Sequence, residues 1–168
     1  MIMLLALAIA AAGPPPASFH PASLRPAGLQ LVQATKDVWK PAATPAGGVP
    51  WKLLESAGET TRRDADGFIR TKPVFPAGVQ ALAGRKVRVA GFMMPLENAS
   101  RQKHFVLLAY PPGCPFHTHA APNQFIEVMA TTAFPVEIEQ AIVVEGVLEL
   151  TGQDESGIFY RLNLAKPA

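Results

Sequence analysis

One short stretch, residues 111–124, holds most of the side chains in this sequence that could do chemistry. It contains the single cysteine, Cys114, and two of the four histidines, His117 and His119. A thiolate and an imidazole separated by two residues can bind one metal ion across a tight turn. If the segment after His117 is extended, His119 lies on the same side, because strand side chains alternate with a period of two. The spacing therefore predicts a three-ligand metal site with an open coordination position.

Further ligands would have to come from the segments on either side of this stretch. We predict His104, which begins the preceding apolar run, and Met94 as additional ligands, with Met93 and Glu127 as further candidates. Thiolate and imidazole suit Zn²⁺ or copper, and a thioether from Met93 or Met94 would favour Cu(I). Met93 is also typical of a core position, because its strand face is apolar. A lone histidine such as His104 is also typical of a strand edge, and both interpretations of it stay open.

Prolines stiffen the same stretch, because each one fixes φ and removes an amide donor. They are Pro111, Pro112, Pro115 and Pro122. Asn123 follows the last of them and is predicted to cap the loop by bonding its own backbone. We interpret Pro115, Pro122 and Asn123 as residues that hold the shape of a rigid loop.

Other chemistry is possible for these side chains. Cys-x-x-His resembles half of a thioredoxin-type motif, but no second cysteine is present to resolve a mixed disulfide. A hydrolase with Cys114 as nucleophile is disfavoured, because neighbours in one Pro-rich loop rarely reach the nucleophile–base–orienter geometry. A loop without metal, in which the thiol is buried and the histidines are solvated, would have the same sequence pattern. The pattern favours ligands over catalysis and does not by itself predict an enzyme.

The N-terminus predicts export. Residues 1–12 form an apolar run of the length of a signal-peptide core and end in small residues. The run is too short to span a bilayer, which takes about 20 apolar residues. We therefore expect a periplasmic or secreted protein without a stable membrane span after cleavage. An unpaired cysteine is unusual in such an oxidising compartment, and this supports the metal interpretation of Cys114.

Composition limits the kind of partner and the number of domains that the chain can have. The chain has 168 residues, with 15 basic and 13 acidic side chains and a net charge of +2. This balance does not indicate a nucleic-acid partner, which calls for clustered basic residues. Residues 13–50 are rich in Ala and Pro and bury too little apolar surface to fold alone, so they predict a semi-rigid linker. Residues 51–168 remain for one small domain.

That domain carries short apolar or alternating segments separated by turn signals, the pattern of a sandwich or small barrel. Predicted strands cover residues 68–72, 85–93, 104–110, 124–129, 136–138, 141–150 and 158–164. Short helical turns are expected at residues 51–54 and 79–82. Gly91 and Gly146 inside strands mark bends, which small barrels use to curl their sheets. We predict a mainly β domain, an OB-like barrel of about five or six strands, preceded by a signal peptide and a linker.

Three stretches together resemble an uncharacterised family of exported bacterial proteins. Residues 82–96 read LAGRKVRVAGFMMPL, residues 104–108 read HFVLL, and residues 113–124 run from Gly-Cys to Pro-Asn-Gln. Members of the family typically combine a G-F-M-x-P-L motif, a phenylalanine-rich strand and a Cys…His…P-N-Q loop. The resemblance implies a small β-barrel protein.

The loop departs from the usual family pattern. His117 stands three residues after Cys114, where the family usually has its histidine two residues after, and His119 stands where a proline run is usual. A related pattern reads Cys-Pro-Phe-Cys, so His117 would take the place of the second cysteine. Similar proteins tend to be encoded near transporters of transition metals. The resemblance therefore implies a metal-handling accessory role and no known enzymatic activity.

The sequence thus leads to two hypotheses. The first is a periplasmic accessory or carrier protein that binds Zn²⁺ or copper through its Cys-x-x-His-x-His loop and serves a metal transporter or another envelope protein. The second is an envelope protein-interaction module without metal, in which the loop is the docking surface.

Overall fold

The computed structural model describes residues 40–112 and 120–168. The predictions for residues 1–12, for most of the linker, and for Cys114, Pro115, His117 and His119 lie outside these ranges.

Short strands dominate the described chain. In order, the elements are α1 (Trp51–Leu54), β1 (Gly58–Arg63), β2 (Ile69–Val74), α2 (Ala77–Gln80), β3 (Lys86–Pro95), β4 (Arg101–Leu108), a 3-10 turn (Pro122–Gln124), β5 (Phe125–Pro135), β6 (Ala141–Leu150) and β7 (Tyr160–Pro167). Within residues 40–112 and 120–168, no helix has the length and apolar character needed to cross a bilayer.

Five of the strands close into a barrel in the order β3-β4-β5-β7-β6. Neighbouring strands are antiparallel except for β5 and β7, which run parallel. A meander of three strands, followed by two strands that close the ring in reversed order, is the arrangement of the oligonucleotide/oligosaccharide-binding fold. The prediction of a mainly β, OB-like barrel is confirmed.

The barrel interior is filled by alternate residues of each strand. In β3 the inward positions are Val87, Val89, Gly91 and Met93, all buried, as the alternation of that segment predicts. Met93 has no exposed surface. It is therefore a core residue, in contrast to its neighbour Met94, which points outward on the same strand.

Two glycines allow neighbouring strands to approach closely. A Cβ atom on Gly91 would stand 2.6 Å from Cγ of Leu107 and 2.7 Å from the carbonyl oxygen of Leu108. A Cβ atom on Gly146 would stand 2.8 Å from the carbonyl oxygen of Asn163. Any side chain at either position would push strands apart, so both glycines serve close packing inside the curled sheet.

The described end of the predicted linker lies against the barrel. The amide of Ala42 donates to the carbonyl of Ala109, and the amide of Val49 donates to the carbonyl of Arg88, each at 2.8 Å. Ala42 and Val49 are both buried in the core cluster. Trp51 then anchors α1, because its indole Nε1 donates to the carbonyl of Ala90 at 2.7 Å. Packing on the barrel thus begins before residue 51.

Two predicted elements differ from the structure. The segment at residues 136–138 is not a strand, because β5 extends to Pro135 and a turn follows. β1 has no counterpart among the predicted strands. It pairs with β2 to form a separate two-stranded sheet, here called the hairpin (residues 58–74), in which every β1 residue is exposed.

Candidate functional site

The two flanks of the ligand-rich loop meet at the barrel surface. Ala109, just after β4, is buried, and its amide donates to the carbonyl of Gln124 at 2.9 Å. Gln124 ends the 3-10 turn that leads into β5, and Pro122 begins that turn. The loop between β4 and β5 therefore leaves and re-enters the barrel at one place, which we call the loop base (Ala109, Tyr110 and Pro122–Gln124).

A carboxylate that follows α1 joins both sides of the loop base. Oε1 of Glu55 accepts a hydrogen bond from the Tyr110 hydroxyl at 3.0 Å and another from Nε2 of Gln124 at 3.1 Å. Burial and the bond to Glu55 raise the pKa of the Tyr110 phenol, so it stays a neutral donor at physiological pH. One acceptor thus fixes residues on either side of the loop.

Asn123 makes a second connection between the loop base and α1. Its Nδ2 donates to the carbonyls of Glu55 at 3.0 Å and Ala57 at 2.9 Å. The sequence predicts that Asn123 bonds its own backbone, and the contacts that the structure describes join it to the segment after α1. The first contact satisfies the carbonyl of the residue that caps α1, and the second satisfies the carbonyl just before β1.

α1 is itself fixed to the barrel by a hydrogen bond at each of its ends. The buried hydroxyl of Tyr160 donates to the carbonyl of Leu54 at 2.7 Å, and burial raises the pKa of Tyr160. With the Trp51 bond to β3, α1 is a rigid support for the loop base. Two barrel strands, β3 and β7, therefore determine through α1 where the two loop flanks lie.

His104 lies on the outer face of the barrel, in contact with a different carboxylate. Its Nε2 is 3.0 Å from Oε1 of Glu127, and Nε of Arg161 donates to the other oxygen of Glu127 at 2.7 Å. Burial opposes ionisation of Glu127, but the hydrogen bonds from Arg161 and His104 outweigh it and lower the pKa of that carboxyl. The three side chains form a hydrogen-bonded cluster across β4, β5 and β7, in which Arg161 and Glu127 are an ion pair.

Met94 lies beside this cluster. It is opposite Val106 in the pairing of β3 with β4, and Val106 is in turn opposite Glu127 on β5. Met94 is 39% exposed. Since outward side chains alternate along a strand, Met94, His104 and Glu127 share the outer face.

The outer-face residues are separated from the loop base along the strands. β4 ends at Leu108, four residues beyond His104, so about 13 Å of strand separates His104 from the end at which the loop begins. The described polar residues at the loop base are instead Tyr110, Asn123 and Gln124, with Glu55 in contact with them. The described part of the structure thus brings His104 together with Glu127 and does not bring it to the loop base.

The described residues alone do not form a three-ligand cluster of the usual metal-binding side chains. Residues 40–112 and 120–168 contain no group of three or more His, Cys, Asp or Glu side chains that could hold an ion. A site of three such ligands therefore needs at least one from the remaining residues, which include Cys114, His117 and His119.

The outer face also carries a shallow cleft of about 420 Å³. The pairing of β5 with β7 shifts between Val128 and Ala130, and Leu164 has a positive φ of 52° and is 67% exposed. Bulges of this kind redirect side chains at strand edges and binding sites. The residues that line the cleft are Lys103, His104, Met129, Ala130, Thr131, Asn163 and Leu164.

Comparison with protein families gives one match. The family described as "Protein of unknown function (DUF3299)" matches residues 34–165. The chain belongs to this family. No curated protein and no solved structure matches the chain significantly.

The match agrees with the expectation of an uncharacterised family, and it includes α1, the loop base and the whole barrel up to residue 165. Within that range, sequence reasoning missed the role of Glu55 and Tyr110. Gln124 belongs to the Pro-Asn-Gln motif and could have been recognised as a loop anchor. Glu55 carries no local signal, because its partners are 55 and 69 positions away in sequence.

Proposed function

We propose that this protein binds a transition-metal ion, Zn²⁺ or copper, in the cell envelope and acts as an accessory or carrier protein for a metal transporter or another envelope partner. Cys114, His117 and His119 are the proposed ligands. Thiolate and imidazole together suit these metals. An unpaired thiol is unusual in an exported protein, and metal binding would account for it.

The observation that supports this proposal most directly is the pair of hydrogen bonds that Glu55 accepts at the loop base. Tyr110 on one side and Gln124 on the other donate to the same oxygen, and Asn123 adds two bonds to the same region. A loop with fixed ends loses less conformational entropy when its side chains close around an ion. Such support is what a binding loop with few ligands requires.

His104 and Met94 are proposed as auxiliary ligands at most. Nε2 of His104 already contacts Glu127, and both residues lie on the outer face, along the strands from the loop base. Their variants therefore separate a loop site from an outer-face site. A loop site predicts that His104→Ala and Met94→Leu leave the affinity nearly unchanged.

Metal titration tests the proposal. Zn²⁺ and Cu⁺ are titrated separately into the purified protein in competition with a chelator of known affinity, and bound metal is measured by elemental analysis after gel filtration. We expect one ion per chain. Cys114→Ser and His117→Ala should each weaken binding by about 10-fold or more, since loss of one ligand from three leaves the ion mostly hydrated.

His104→Ala is the matched control for His117→Ala, because both remove one imidazole. Equal losses in the two variants would make His104 a full ligand beside His117, and a loss in His104→Ala alone would move the site to the outer face. The absence of stoichiometric binding, or binding unchanged in Cys114→Ser, would contradict the proposal.

A second candidate function, docking of an envelope protein without metal, is supported by a different observation. Among the described residues, four large apolar side chains are exposed on or beside the outer face: Met94, Leu96, Met129 and Leu164. In OB folds, the face formed by the second and third barrel strands commonly binds ligands, and here those strands are β4 and β5. Photocrosslinking from position 129 in envelope extracts would give a discrete adduct that disappears in Leu164→Asp.

A further inference from the structure

One edge of the hairpin has no partner strand in the part of the chain that the structure describes. Within the described residues, β1 pairs only with β2, and all six of its residues are exposed. The other edge of the hairpin is occupied in part, because Thr71 of β2 forms a bridge to Ser156. An open edge presents unpaired amide and carbonyl groups that can add another strand.

The charges along β1 are complementary to those of a second, antiparallel copy of the same strand. Glu59, Thr61 and Arg63 lie on one face of the hairpin, because strand side chains alternate, and they are opposite Pro73, Thr71 and Ile69 of β2. An acidic and a basic residue thus stand at equal distances on either side of Thr61. A second copy of β1, run antiparallel about Thr61, would place each Glu59 opposite an Arg63.

We propose that two copies of this protein associate through their β1 edges, with Thr61 opposite Thr61 and Glu59 opposite Arg63 of the other copy. The two hairpins then form one four-stranded antiparallel sheet. Opposite charges and threonine pairs at directly opposed positions both stabilise antiparallel sheets. The inference concerns the hairpin and is independent of the proposed metal site.

The charges on the hairpin favour this partner over an unrelated strand. Arg62, on the other face, is already paired with Glu155, and Arg70 is paired with Asp64. Glu59 makes no hydrogen bond or ion pair with any described residue. Arg63 uses one nitrogen for the carbonyl of Gly67 at 2.7 Å, which leaves further guanidinium donors. The unused charges on the Thr61 face are therefore one of each sign.

The contact is small, so the dimer should be weak. One six-residue strand pairing buries less surface than a stable dimer interface needs. A weak dimer must be sought at high concentration. Sedimentation equilibrium of the full chain at up to about 1 mM covers dissociation constants in the millimolar range.

Charge variants test the register directly. Glu59→Arg places two basic side chains opposite each other in the pairing, and Arg63→Glu places two acidic side chains opposite each other. Each variant alone should be monomeric. An equimolar mixture should recover the dimer, because both basic side chains of one variant then face the acidic side chains of the other in the proposed register. Glu139→Arg, an identical charge change at an exposed loop position, should dimerise like the wild type.

A crosslink gives a second readout that does not depend on charge. In a Cys114→Ser background, Thr61→Cys should form a disulfide dimer under mild oxidation, because opposed Cα atoms lie about 5 Å apart. Thr60→Cys is the matched control, since its side chain is on the other face and opposite Arg62. A wild-type chain that stays monomeric at the highest concentration, a mixture that does not recover the dimer, or equal crosslinking at positions 60 and 61 would overturn the proposal.

Discussion

The closed barrel and the hairpin are stabilised by different interactions. In the barrel, alternate residues of β3–β7 fill a continuous core, in which Met93 and Phe105 have no exposed surface. The hairpin has almost no core of its own: every residue of β1 is exposed, and Phe68 and Ile69 beside its turn are more than 60% exposed. The barrel is therefore held by buried apolar surface, whereas the hairpin depends on backbone pairing and ion pairs.

This difference indicates what each region can do. A two-stranded sheet is at best marginally stable alone in water. The hairpin is connected to the barrel through the Arg62–Glu155 ion pair and the bridge from Thr71 to Ser156, so the barrel supplies its stability. The exposed residues of β1 are the part of the hairpin that is available for contact with a partner. The loop base, in contrast, is part of the barrel and inherits its rigidity.

Removing a core aromatic residue should show the largest difference between the two regions. Phe105 is buried and packs edge-on against Phe134, with ring centroids 5.1 Å apart. We expect Phe105→Ala to lower the free energy of unfolding by about 3–5 kcal/mol. Phe68→Ala, the matched change on the hairpin, removes a ring that is 63% exposed and should change it by less than about 0.5 kcal/mol.

Urea unfolding followed by tryptophan fluorescence measures both variants, because Trp51 is buried against the barrel. Similar losses in the two variants would mean that the hairpin is part of the same cooperative core. The comparison between the regions would then fail.

A smaller effect is expected from adding one methyl group to a strand glycine. Gly91→Ala would place a Cβ atom 2.6 Å from Cγ of Leu107 and 2.7 Å from the carbonyl oxygen of Leu108. Since a backbone oxygen cannot move without shifting β4, we expect a loss of about 1–3 kcal/mol. Gly58→Ala on the hairpin meets only Cβ of Val74, at 3.9 Å, and serves as the control. The two variants are compared by their thermal unfolding midpoints. An unchanged midpoint for Gly91→Ala would contradict the role of that glycine in the close packing of β3 against β4.

The same contrast explains how much of the fold could be predicted from the sequence. β3 and β6 have apolar residues at alternate positions, with a glycine at the bend, so their period and turns indicated a barrel. β1, Gly58–Arg63, contains no large apolar residue, and among the described residues it is identified as a strand by its pairing with β2. Periodicity cannot detect a strand without a buried face.

For the candidate site, the sequence identified the loop by its ligand types but not the residues that support it. Glu55 is joined to Tyr110 and Gln124 only through the folded chain. The placement of His104 also depends on pairing, because β4 had to be aligned with β5 before its contact with Glu127 could be known. Residue types predict which chemistry is possible, whereas long-range contacts decide which residues lie together at one site.

The smallest effect, and the one that depends on pH, compares an ion pair of the barrel with one of the hairpin. Glu127 is largely shielded, and its hydrogen bonds from Arg161 and His104 lower its pKa in the folded protein. A lowered folded-state pKa means that ionised Glu127 stabilises the fold above its unfolded-state pKa of about 4.3, and that this contribution is lost as the pH falls through the folded-state pKa. Glu127→Gln should therefore lower the free energy of unfolding by about 1–2 kcal/mol at pH 7.

The difference between wild type and Glu127→Gln should shrink steadily below about pH 4.3, as the wild-type carboxyl becomes protonated. Glu155→Gln on the hairpin is the control. Its partner Arg62 is 58% exposed, so solvent screens the pair and its loss should have a smaller effect at every pH. Urea titrations of both variants between pH 3 and pH 7 measure this. If the loss of stability in Glu127→Gln does not depend on pH, then shape and not charge holds the cluster of His104, Glu127 and Arg161 together. If Glu127→Gln and Glu155→Gln lose equal stability, then the barrel does not shield its ion pairs better than the hairpin does.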